Sequence, residues 1–202
     1  MTIGGVLLAA GAGSRMGIPK ALVVGADGQP WLARGVRVLA EAGCAPTVVV
    51  LGARADEAEH LLPAGVPVTV GIADDWQSGL SASLRRGLEV AATFDDVDAV
   101  VVTLVDLPDL GADAVRRVAA VPRDTPAGNT PPGDTRSALR QAHYSGRPGH
   151  PVLIGRDHWL PLLRSLTGDS GARKYLAAHG AEAVDCSDLG TGRDVDSPGE
   201  LH

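Results

Sequence analysis

Four stretches of the chain, residues 5–10, 47–52, 66–72 and 99–105, are apolar with little of the polar alternation of a strand that is wet on one face. Runs of this kind suit parallel strands covered on both sides. The intervening stretches 32–42, 55–62 and 80–92 read as helices, and a fourth follows at 112–121. Gly43 is placed to close the first helix, Pro63 stops the second, and Ser78 or Ser81 would cap the start of the third. Strand and helix alternate four times, which right-handed crossovers turn into a three-layer, Rossmann-like α/β fold with a doubly wound, mostly parallel sheet. Ligands in that architecture bind at the carboxyl ends of the strands, so the residues just after each run carry the functional question.

At 202 residues and 45% hydrophobic, the chain is long enough for one well-cored domain. A net charge of −6 and an isoelectric point near 5.4 argue against a broad surface for nucleic acid or an anionic membrane. Any bound polyanion should sit in a local basic pocket. Cys44 and Cys186 lack Cys-x-x-Cys spacing, which argues against a zinc ribbon or redox dithiol and suits the reducing cytoplasm. The first apolar run is short, has no basic leader and flows into a glycine-rich loop, so it reads as a buried strand and not as a signal peptide or membrane span.

That loop is Gly11-Ala12-Gly13-Ser14-Arg15-Met16-Gly17-Ile18-Pro19-Lys20. Small residues let backbone N–H groups approach an anion, and Arg15 and Lys20 add charge, which is the make-up of a triphosphate cradle. The Walker pattern is absent, because Lys20 follows a proline. A dinucleotide fingerprint would need glycine where Met16 stands and an acid after the second run, which instead ends Leu51-Gly52-Ala53-Arg54. The glycines alone fit a plain strand-to-helix turn equally well; the two cations favour phosphate.

Asp106 follows the fourth run in Val105-Asp106-Leu107-Pro108, at the same sheet edge as the glycine loop. Magnesium prefers few carboxylates plus phosphate oxygens, which makes Asp106 the first candidate metal ligand, although an Asp before Leu-Pro also caps turns. Later, Asp194-Val195-Asp196-Ser197-Pro198 puts two carboxylates on one side of an extended segment. Folded back to the sheet edge, it would complete a metal site with Asp106; the plainer reading is a cap for a terminal helix behind Pro198. Between these lies the Pro- and Gly-rich stretch 122–134, a connecting loop or lid. Residues 137–144 and 151–154 read as strands paired around Ser145-Gly146-Arg147-Pro148-Gly149-His150.

The segment Leu8-Ala9-Ala10-Gly11-x-Gly13-x-Arg15-Met16-Gly17 with Lys20 resembles the signature of the MobA-like NTP transferases, and more closely that of their molybdenum cofactor cytidylyltransferase (MocA-like) branch. Trp76-Gln77-Ser78-Gly79-Leu80-Ser81-Ala82-Ser83-Leu84 is similar to a second family stretch, and Val105-Asp106-Leu107-Pro108 to its metal turn. Tyr144-x-Gly146-x-x-Gly149-His150-Pro151 and Leu166-x-Gly168-Asp169-x-Gly171-Ala172-Arg173 resemble its acceptor part, and Asp194-Val195-Asp196-Ser197-Pro198 its closing segment. The resemblance spans nearly the whole chain in the family's order. It implies a nucleotidyltransferase fold of glycosyltransferase-A type over 1–202, with 1–121 binding nucleotide and 122–202 supplying a loop, a small substrate lobe and a closing metal segment.

The implied activity is transfer of CMP from CTP to a molybdopterin-type cofactor, whose terminal phosphate attacks the α-phosphorus and expels pyrophosphate. The resemblance assigns Arg15, Lys20 and Asp106 to catalysis. It assigns Leu8, Ala9, Ala10, Gly11, Gly13, Ser14, Arg15, Lys20, Gly79, Ser81 and Ser83 to the nucleotide, and Asp106, Asp194 and Asp196 to Mg2+ or Mn2+. Tyr144, Gly149, His150, Pro151, Gly168, Asp169, Gly171 and Arg173 fall to the acceptor. His150 orients the substrate in this reading, because an attacking phosphate is already anionic and needs little deprotonation. Ala10, in place of a second glycine, points to CTP, while Ala73 and Leu107 stand where relatives commonly carry Asn and Gln. Guanylyl transfer from GTP, another phosphorylated acceptor and a non-catalytic nucleotide-binding module are the alternatives. The expected protein is a cytoplasmic monomer with no nucleic-acid or membrane partner, which serves a molybdenum hydroxylase or its maturation factor.

Overall fold

A computed structural model describes residues 1–120, 134–197 and 199. Most of the 122–134 stretch, Val121 at the end of the fourth helical stretch and the terminal helix expected behind Pro198 lie outside the described residues. Two halves follow one another along the chain. The first runs β1 (Thr2–Leu8), α1 (Trp31–Glu41), β2 (Thr47–Leu51), α2 (Ala55–Glu59), β3 (Val68–Ile72), α3 (Leu80–Ala91), β4 (Val97–Leu104) and α4 (Ala112–Ala119). The second runs β5 (Leu139–Tyr144), β6 (Arg147–Gly155), α5 (Trp159–Ser165), α6 (Arg173–Ala178) and β7 (Glu182–Asp185).

All seven strands join one sheet in the order β3-β2-β1-β4-β6-β5-β7. Among the described strands β6 runs against its neighbours, and the other pairings are parallel. Successive side chains of a strand point to opposite faces. Leu7, Val49 and Val101 therefore pack with α1, α2 and α4, while Val6, Leu8, Val48, Val50, Val100 and Val102 pack with α3, α5 and α6. Both parities of β1, β2 and β4 must be apolar, which is why these runs do not alternate. The chain builds outward from β1 through β2 to β3 and then returns over the other face through α3 to β4. The strand order reverses between β1 and β4, and their carboxyl ends flank the crevice.

Local chemistry sets the ends of the elements. Gly43, at φ 84°, closes α1: its N–H donates to the Ala40 carbonyl and that of Cys44 to the Leu39 carbonyl, at 2.9 and 3.0 Å, a Schellman arrangement. The start of α3 departs from the sequence reading. Its N-cap is Gly79, at φ 100°, with no side-chain cap, and the buried Ser81 hydroxyl has no hydrogen-bond partner among the described residues. Asp169 and Gly168 press on the position a Gly79 side chain would occupy, so only glycine fits there. The β5–β6 turn is also tighter than expected. Ser145 and Gly146, at φ 51° and 77°, make a two-residue hairpin with both central residues at positive φ, and Arg147 to His150 belong to β6.

One buried cation ties the second half to the first. Arg140 in β5 donates to the carbonyls of Arg117, Val118 and Ala120 at the end of α4, and pairs with Glu182 of β7 at 2.9 Å. It covers carbonyls that the helix leaves without partners and sits at the negative end of the helix dipole. Cys44 and Cys186 are free and buried, and no helix among the described residues is long and apolar enough to cross a membrane.

Leu7 is fully buried at the middle of the sheet and lies against Gly35 of α1. The Leu7→Ala change should lower the free energy of unfolding by about 2–5 kcal/mol through lost contact and a residual cavity. Urea titration should show a lower midpoint at an unchanged slope.

Candidate active site

Beyond β1 the chain stays fixed for two residues. The Ala9 N–H donates to the Val50 carbonyl at 2.9 Å and Ala53 N–H to the Ala10 carbonyl at 3.0 Å. The glycine loop then turns, closed by a hydrogen bond from Gly17 N–H to the Gly13 carbonyl at 2.9 Å. Gly13 sits at φ 61°, where a side chain would also run into the Ile18 carbonyl, so glycine is required on both counts. A short 3-10 turn, Lys20–Leu22, buries Ala21 and aims Lys20 into the crevice.

The opposite wall is built from two segments that meet. Asp106 follows β4, whose end is tied to β1 by the Val105 N–H donating to the Leu8 carbonyl at 3.1 Å. The C-terminal segment folds back onto it. Thr191 donates its N–H and hydroxyl to Asp109 at 2.7 and 2.6 Å, and the Val195 N–H donates to the Asp106 carbonyl at 3.0 Å. The Val195 side chain enters the core, which leaves Asp194 and Asp196 on either side of it. One oxygen each from Asp106, Asp194 and Asp196 lies within 4.8 Å of the others.

Two cations balance this cluster. The Lys20 ammonium donates to Asp106 Oδ2 at 2.6 Å and Asp196 Oδ1 at 2.5 Å, and Arg15 donates to Asp196 Oδ2 at 2.7 Å. Burial pushes the Asp106 carboxyl above its ordinary range, Asp194 adds to this, and Lys20 only partly opposes it. Burial pulls Lys20 down, but Asp106 and Asp196 outweigh that and hold it above the usual lysine value. The hydrogen bond from Lys20, with help from Arg15, holds Asp196 below the usual carboxylate range. Asp106 Oδ1 is buried and has no hydrogen-bond partner among the described residues. A buried oxygen of that kind beside two further carboxylates is a donor set that fits a hard divalent cation such as Mg2+ or Mn2+.

Two cavities open from the cluster. A cleft of about 570 Å³ lies over the glycine loop, and a second of about 690 Å³ lies over β5, β6 and α6. Leu8, Leu80, Leu104 and Asp169 line both. The first takes in Leu8, Ala9, Ala10, Gly11, Gly13, Ser14, Arg15, Lys20, Gly79, Ser83, Asp106 and Asp196 from the sequence reading, and adds Trp76, Gln77 and Leu104. Ser81, assigned to the nucleotide, does not line it, because the first turn of α3 points that residue into the protein.

The second cavity takes in Gly149, His150, Asp169, Gly171, Arg173 and Asp194, but not Tyr144, Pro151 or Gly168. For Tyr144 the period of two along β5 decides this. His143 and Gln141 of β5 face the cavity, whereas Tyr144 belongs to the core on the opposite face of the sheet. The Tyr144 hydroxyl donates to the His150 carbonyl at 2.9 Å, and its ring packs against Gly149 and Gly192. It supports this wall of the second cavity from behind. Burial pulls the His150 imidazole down to about 4 against the pull of Asp194, with Arg173 adding to the shift, so the ring is neutral near pH 7.

The sequence matches the MobA-like NTP transferase domain over residues 5–184. It is 33% identical over 204 residues to Nicotine blue oxidoreductase of Paenarthrobacter nicotinovorans, a match covering 98% of this chain and 94% of that protein. It is 32% identical over 163 residues to Molybdenum cofactor guanylyltransferase of Rhodobacter capsulatus, covering 81% of this chain and 68% of that one. Among solved structures, a nucleotidyl transferase from Methanothermobacter thermautotroptrophicus is 26% identical with a TM-score of 0.68, covering 92% of this chain and 88% of that one.

His150 has a measurable signature in stability. Its folded value of about 4 lies below the ordinary 6.5, so the unfolded chain binds the extra proton and the fold loses stability as pH falls from 6.5 towards 4. A His150→Gln variant lacks this contribution. Urea unfolding from pH 8 to 4 should show wild type losing stability faster than the variant below pH 6.5, with parallel curves above it.

Proposed function

The chain belongs to the MobA-like NTP transferase family and is a nucleotidyltransferase, and from that premise we propose that it transfers CMP from CTP to the phosphate of a molybdopterin-type acceptor. The observation that carries this reading is the meeting of two cavities at one cluster of three carboxylates and two cations. A triphosphate over the glycine loop presents its α-phosphorus towards the residues that both cavities share. An acceptor phosphate in the second cavity can then approach it from the other side.

An oxygen of the acceptor phosphate forms the new bond to the α-phosphorus as the bond to pyrophosphate breaks. The acceptor enters already ionised, so no general base is needed, and a neutral His150 orients it beside Arg173. Arg15, Lys20 and the loop N–H groups neutralise charge on the transferred and leaving oxygens, where positioning and electrostatics supply most of the acceleration. A divalent cation held by Asp106 with Asp194 and Asp196, magnesium with manganese as a substitute, would supply further charge neutralisation at the phosphate oxygens.

The base rests on Ala10, the small residue that points to CTP. The name of the R. capsulatus relative makes GTP the second reading. The name of the P. nicotinovorans relative raises an oxidoreductase. Met16 at the third position of a dinucleotide fingerprint and Arg54 after β2, where that fold needs glycine and an acid, favour the transferase.

Lys20→Ala and Asp106→Ala should each cost about 3 kcal/mol of transition-state stabilisation, roughly a hundredfold in rate, read as pyrophosphate release. Near-wild-type release from either variant would overturn the site assignment. Melting curves with CTP, GTP, ATP and UTP, each with and without Mg2+, should single out CTP by the largest shift. Oxidation of a reduced nicotinamide nucleotide with no pyrophosphate from any triphosphate would overturn the transferase reading.

A further inference from the structure

Lys20 serves two demands that cannot be met at once. Its ammonium lies 2.6 Å from Asp106 Oδ2 and 2.5 Å from Asp196 Oδ1, two of the three carboxylates whose oxygens converge within 4.8 Å. The same ammonium is the cation that the glycine loop would lend to a triphosphate. An ammonium is a compact point charge with three donors. A divalent cation entering between the carboxylates would meet it at contact distance, in a crevice where the Lys20 and Asp106 side chains are only 16% and 13% exposed. Like charges that close repel strongly when water is largely excluded. The backbone need not move to relieve this. Lys20 opens a 3-10 turn held by Leu22 N–H on the Pro19 carbonyl at 2.9 Å and anchored by the buried Ala21, so the long side chain can swing by itself.

We propose that Lys20 is the resident counter-cation of the Asp106–Asp196 seat, and that it yields the seat to a divalent cation only when nucleotide phosphates are present to accept its ammonium. Metal and nucleotide then load as one unit, and metal alone is held off. The inference rests on the metal and nucleotide parts of the reading above, and is independent of the base and the acceptor.

The test is binding without turnover. Wild type, Lys20→Met and Lys20→Gln are titrated with Mn2+ alone, with free Mn2+ followed by electron paramagnetic resonance. Both variants should bind Mn2+ at least tenfold more tightly than wild type, and Mn2+ should raise their melting temperatures more. Equal or weaker Mn2+ affinity in variants that still melt cooperatively overturns the inference. A second arm uses wild type only. Mn2+ and CTP (or GTP) together should raise its melting temperature by more than the sum of the separate shifts, as coupled ligands must. Additive shifts overturn the inference and leave the transferase reading intact, whereas no shift with any combination overturns both.

Discussion

Coverage of the sheet on both faces is the constraint from which the rest follows. Once α1, α2 and α4 lie on one side and α3, α5 and α6 on the other, the central strands have almost no tolerance for polar side chains. Of the buried polar side chains there, Thr47 donates its hydroxyl to the Cys44 carbonyl, and Thr103 has no hydrogen-bond partner among the described residues. Burying an unpaired polar group costs about 1–3 kcal/mol, so charge is pushed off the strands to their ends. At the carboxyl ends of β1 and β4, where the winding reverses, segments from both halves of the chain bring three carboxylates and two cations together. The glycine loop, Asp106 and the returning C-terminal segment meet there as a consequence of topology.

That concentration is held against its own repulsion. Three carboxylates within 4.8 Å repel one another, and Lys20 and Arg15 offset that repulsion. The C-terminal segment that carries two of them is fastened without the two cations as well, through Val195 in the core and Thr191 on the Asp109 carboxylate. Hydrophobic anchoring places the carboxylates, and the cations lower the cost of holding them together. The upward shift at Asp106 and the downward shift at Asp196 show how unevenly the burden falls: the first is buried, the second partly wet and served by two cations.

The parts of this arrangement that were legible in the sequence are those written in continuous segments. The unalternating runs announced a doubly covered sheet, the turn after the fourth run announced Asp106, and the fold-back of 194–196 was readable as one of two options. What escaped depends on parity and on contacts across the chain. Tyr144 and His143 are adjacent in sequence and lie on opposite faces of the sheet, and nothing local says which faces the cavity; only the pairing of β5 with β6 and β7 settles it. Gly79 took the capping place expected of Ser78 or Ser81 because Asp169, ninety residues on, fills the space a side chain would need. The wall residues Gln141 and His143 carry only a faint signal, the period of two that they share with each other along β5.

The reversed direction of β6 has a further consequence. Its pairing with β4 runs from Val152 to Gly155, and residues 147–150 project past that ladder with the β5–β6 hairpin turn at their tip. The two walls of the crevice are therefore unequal in plasticity. The glycine-loop wall follows β1, which is locked between β2 and β4, and can scarcely change without dismantling the sheet. The hairpin wall can lengthen, shorten or exchange its outer side chains while the ladder behind it keeps its register. A scaffold divided in this way can hold its phosphate chemistry fixed while diversifying the molecules on which that chemistry is performed.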